Sequence, residues 1–113
     1  CEALIAAAKE ADVIVHEVFD HGRDPVPRGT QSAETMAQVA SYHTLSTEVG
    51  EIAREAGAGA LILTHLVPPS ADPARLFQHA RAGFDGFVAV GEDLMAIDVI
   101  NRHVSWRGMS VGF

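Results

Sequence analysis

Two short apolar runs, Val13-Ile14-Val15 within "DVIVHEV" (residues 12–18) and the start of "ALILTH" (residues 60–65), limit what this chain can become. Neither alternates apolar with polar, so each predicts a strand shielded on both faces, as in a parallel sheet covered by helices. The β-branched Val13, Ile14 and Val15 strengthen the first assignment. Each run is preceded by helical periodicity. In "EALIAAAKEAD", Leu4, Ala7, Ala8 and Ala11 fall on one face. From Thr44 to Ala56, Val49, Ile52, Ala53 and Ala56 line one side while Glu48, Glu51 and Glu55 face water. Thr44 or Ser46 can cap that helix at its start, and Gly57 or Gly59 can end it.

The rest of the chain continues the alternation. "SAETMAQVASYH" reads as helical, with Met36, Val39 and Ala40 on one face, after a Pro/Gly-rich loop over residues 20–30. Asp72 followed by Pro73 marks a helix start, and Leu76, Phe77, Ala80 and Phe84 form its apolar side. "GFVAVGEDLMAIDVI" predicts two short strands around a Gly91-Glu92-Asp93 turn, a final β-hairpin. The stretch after Asn101 fits no pattern. Strands alternating with helices make an α/β fold with an at least partly parallel sheet.

With 113 residues and 48% hydrophobic content, the chain suits one compact domain. Eight Lys and Arg against fifteen Asp and Glu give a net charge of −7, which opposes a surface that grips nucleic acid through its phosphates. A single cysteine, Cys1, allows no internal disulfide and fits a reducing setting, with the cytoplasm as default. No apolar stretch approaches the ~20 residues that span a bilayer, and no signal peptide is visible. The first residue is not Met, so further residues are expected upstream, and export stays open.

In parallel α/β sheets, ligands gather at the carboxyl ends of the strands, where helix N-termini also point. His16-Glu17 and His65 stand at such ends, and His43 precedes a helix N-terminus, so one rim should gather them. An imidazole there can ligate a metal through one nitrogen while the other is held by a carbonyl or carboxylate. A His-Glu pair can also pass protons. Taken singly, each of these histidines is more simply explained as a structural side chain bonded to loop backbone. His21, His79 and His103 read as solvated, and Asp93 reads either as a turn residue or as a rim residue.

Taken in order, "ADVIVHEVFD", "YHTLSTEVGEIAREAGAGALILTHLVPP" and "FDGFVAVGEDLMAIDV" resemble the C-terminal part of a metallo-β-lactamase-fold hydrolase. The branch resembled holds ribonuclease Z and the zinc arylsulfatases. That resemblance implies the C-terminal half of an αβ/βα sandwich, with its upstream half absent from residues 1–113. It implies two metal ions in the complete enzyme, zinc or manganese in its place, activating a bridging water. It assigns His65 as a metal ligand, and Glu17 with His43 as the pair that handles protons near the leaving group. The HxHxDH signature and a bridging aspartate are missing from this sequence, so the isolated chain is expected to be inactive.

Half a sandwich should also bury its open sheet face against the missing N-terminal half or a second copy. Ribonuclease Z follows the last metal histidine with a segment like "SxRY", whereas this chain has "LVPPSADP". Together with the acidic balance, this favours a small-molecule phosphate, sulfate or carboxylic ester over tRNA, with no membrane partner. The alternative is a non-catalytic α/β binding domain with structural histidines.

Overall fold

The computed structural model describes residues 2–20 and 33–113. His21, most of the Pro/Gly-rich loop, Cys1 and the face assigned to the Met36 side chain lie outside the described residues. The elements run α1 (Glu2–Ala7), β1 (Val13–Phe19), α2 (Ala33–Ser41), α3 (Val49–Ala56), β2 (Ala60–Val67), α4 (Pro73–Gly83), β3 (Phe87–Val90), β4 (Ala96–Asp98), β5 (His103–Trp106) and β6 (Met109–Gly112). Among the described residues two three-stranded sheets form, β1-β2-β3 and β4-β5-β6. No described helix is long and apolar enough to cross a membrane.

The first sheet is parallel throughout, with Ile14, Leu61 and Val88 side by side across its three strands. These residues and Leu63 form one core with Val49, Ala53 and Ala56 of α3 and Leu76 and Ala80 of α4. Helices α3 and α4 pack so closely that a Cβ added at Gly50 would stand 2.2 Å from the Ala80 carbonyl oxygen. Only glycine permits that approach. Asp72 caps α4 by accepting from the Ala74 N–H, with Pro73 at the first helical position. Gly57 ends α3 in the left-handed region at φ 69°.

Five expectations are corrected here. The first strand is not covered on both faces: Ile14 is buried under helices, but Val15 on the other face is 57% exposed. The third helix starts at Val49, not Thr44, because Leu45 is drawn into a parallel bridge with Phe19. The strands flanking the Gly91 turn join different sheets, β3 pairing with β2 and β4 with β5. The terminal hairpin is β5-β6, in the stretch that fitted no pattern. His103, expected in solvent, is half-buried in β5 between Asp98 and Gly112. An apolar cavity of about 270 Å³ lies where β3 meets the second sheet, lined by Phe77, Phe87, Val104, Trp106 and Val111 among others.

Candidate metal and proton-transfer site

The site begins with a break in the β1-β2 ladder. Pairing runs regularly to Glu17 opposite Thr64, then resumes with Val18 opposite Leu66, leaving His65 as an extra residue. His65 takes φ 43°, in the left-handed region that side chains seldom adopt. Such bulges re-aim side chains. Without one, residue 65 would follow Leu61 and Leu63 onto the helix-covered face, by the two-residue period of a strand. With it, His65 is exposed at the rim and Leu66 takes the inward place against the core. This is why an imidazole can end an apolar strand without being buried by it.

His43 arrives from the segment between α2 and α3, which is bonded to the end of β1. The Phe19 N–H donates to the Thr44 carbonyl at 2.8 Å, and the Ser46 N–H donates to the Phe19 carbonyl at 2.9 Å. The Glu17 carboxylate then accepts twice, from the Thr44 N–H at 2.6 Å and from His43 Nδ1 at 2.7 Å. Thus Nδ1 of His43 carries a proton and Nε2 is directed elsewhere. The His43 ring also lies against Phe19, with ring centroids 6.1 Å apart, and against His65 at 5.6 Å. On the other side of β1, His16 Nδ1 donates to the Glu17 carbonyl at 2.6 Å.

Burial pushes the Glu17 carboxyl up, but the Thr44 N–H, the His43 bond and the charges of His43 and His16 together outweigh it. The carboxyl is therefore held below its ordinary range and is ionised at neutral pH. Glu17, His43 and His65 each offer a ligand atom, and these atoms lie within 4.8 Å of one another. Two imidazoles and a carboxylate suit a divalent ion such as zinc. The bonds already made divide the three: both Glu17 oxygens are engaged, whereas no hydrogen bond to the His65 ring is found among the described residues.

The structure thus brings together Glu17, His43 and His65, the residues picked out in the sequence. It leaves Asp93 exposed in its turn, and Glu48, Glu51 and Glu55 on a solvated helix face. His79 is corrected: it is half-buried, with Nδ1 2.8 Å from the hydroxyl of buried Ser46. Sequence reasoning also missed Asp20, 5% exposed, which receives Arg75 through Nε at 3.1 Å and Nη2 at 2.5 Å. The i, i+4 spacing of Arg75 and His79 was a visible signal, but their partners are 55 and 33 residues away.

No family profile matches the chain. It is 35% identical over 100 residues to "Ribonuclease Z" of Myxococcus xanthus, covering 88% of this chain and 29% of that protein. It is 36% identical over 108 residues to "Ribonuclease Z" of a Synechococcus strain, covering 90% of this chain and 30% of that protein. Among solved structures it is similar to the metallo-β-lactamase fold protein YhfI from Bacillus subtilis, with TM-score 0.62 and 30% identity over 81% of this chain and 33% of that one. The chain spans about a third of the length of these relatives. Relatives named as ribonucleases overturn the preference for a small-molecule ester over tRNA. That preference leaned on the "LVPPSADP" segment after His65 and on net charge, a sum over the whole surface, whereas a substrate feels the local field of a cleft.

Proposed function

The chain carries part of a metallo-β-lactamase fold in its ribonuclease Z-like branch, and from that premise we propose that its rim serves a metal-dependent phosphodiesterase acting on RNA, with tRNA as the substrate class. The observation that carries this is the division of labour at the rim: His65 is turned outward by a bulge with its ring free of hydrogen bonds among the described residues, beside a Glu17–His43 pair already bonded to each other.

In this reading His65 is a ligand of a divalent ion, zinc by the chemistry of imidazole donors. When bound, such an ion supplies a hydroxide at neutral pH and stabilises charge on the phosphate. The chain's own contribution is proton handling. Glu17 holds Nδ1–H of His43, fixes the tautomer and stabilises an imidazolium, so His43 can deliver a proton from its other nitrogen to a departing ribose oxygen. The Thr44 N–H keeps the carboxylate in place while this happens.

A two-metal centre needs more ligands than these residues provide, so the isolated 113 residues are expected to bind at most one zinc equivalent and to hydrolyse nothing. The test uses the whole protein that carries the chain. His65→Ala should lower bound metal and phosphodiester hydrolysis together, whereas His43→Ala should lower turnover with metal retained. Unchanged activity in both variants would remove the assignment.

A further inference from the structure

Two side chains on α4 reach the two segments that carry the proton-handling pair. Arg75 and His79 stand one turn apart on one helix face. Arg75 grips Asp20, three residues beyond Glu17 on the same strand end, through both carboxylate oxygens. His79 holds Ser46, three residues beyond His43, at 2.8 Å. Asp20 and Ser46 are also the only polar side chains among the described residues that are buried, at 5% and 1% exposure. Between these bonds the helix turns Leu76 and Ala80 into the core, so α4 is a fixed bar.

Backbone bonds between Phe19, Thr44 and Ser46 join the two segments to each other, and the strand end is tied to β2 by Phe19 beside Val67 and by the Asp20 N–H on the Val67 carbonyl at 2.7 Å. The Arg75 and His79 bonds add a side-chain attachment of both segments to α4. We infer that Arg75 and His79 are positioning residues, a two-point clamp by which α4 holds the His43 segment against the end of β1 and so keeps the Glu17–His43 pair in register. The inference rests on the proton-handling role proposed for that pair. Neither clamp residue is assigned contact with substrate. Buried polar partners of this kind hold functional groups to within fractions of an ångström, and a misplacement of about 1 Å can cost about a hundredfold in rate.

Removing Arg75 would strand a buried carboxylate and risk unfolding, so the test centres on His79. In the whole protein, His79→Leu removes the bond to Ser46, and His79→Asn restores a polar atom near the place of Nδ1. Two readouts are taken with the thermal transition as a check on folding: the His43 Nδ1 proton resonance, and hydrolysis of bis(p-nitrophenyl) phosphate with zinc. His79→Leu should stay folded, broaden or lose the His43 proton through solvent exchange, and lower kcat about 10–100-fold with KM and bound metal little changed. His79→Asn should recover most of both. A His43 proton and kcat untouched in His79→Leu would overturn the clamp, as would loss of the thermal transition in both variants. If the wild type hydrolyses no phosphodiester, the functional proposal fails, while the proton resonance still decides whether His79 holds His43.

Discussion

The two sheets of this molecule differ in what holds them. In β1-β2-β3 the central strand is buried from Ala60 to Leu63, and its inward side chains meet two helices. In β4-β5-β6 Val104 is the one described hydrophobic residue that reaches burial, and every residue of β6 is exposed. Polar and aromatic contacts attach the second sheet: Arg107 to Glu92 at 2.6 Å, Arg102 to Asp12 at 3.3 Å, and Phe113 against Phe87 with ring centroids 5.7 Å apart. Glu17 and His65 grow from the first sheet, and His43 comes from the segment bonded to its edge. A site that must hold atoms to fractions of an ångström stands on the part with the denser core.

That contrast can be broken most directly at Leu61. Leu61→Ala removes a fully buried side chain between Ile14 and Val88 and should cost about 2–5 kcal/mol, measured by urea unfolding. A loss below about 1 kcal/mol would mean the parallel sheet is not the stabilising element. A smaller effect is expected from acid. Because Glu17 is held below its ordinary value of 4.5 in the fold, its contribution is present above that pH and is lost as pH falls through the lowered value. Stability of the wild type should therefore fall more steeply below pH 4.5 than that of Glu17→Gln, and parallel curves would show that the pair adds nothing to folding. The smallest change belongs to the second sheet. Val111→Ala, at a side chain 47% exposed, should stay within about 0.5 kcal/mol, and a cost near that of Leu61→Ala would show one core shared by both sheets.

How far the sequence could be followed differs along the same line. Local signals were legible: Asp72-Pro73 as a helix start, Gly57 as a helix end, and the strand ends that put Glu17 and His65 on one rim. What escaped was set by partners distant in the chain. Helical periodicity placed Phe77 inside and His79 outside, yet Phe77 is 41% exposed and His79 is half-buried on Ser46. The helix expected from Thr44 yields its first turn because Phe19 bonds to that backbone instead. In the second sheet β4 was read as a strand, but β5 and β6 were unreadable because short, half-exposed strands carry no strong two-residue alternation.

The extra residue at position 65 is a local detour: the strands fall back into step at once, with Val18 beside Leu66 and Phe19 beside Val67. Loss of a single codon there would leave a continuous ladder and an intact interior while taking the imidazole off the rim. The outline of the sheet and the side chain presented at its rim are thus separable, since the pairing on either side does not depend on the extra residue.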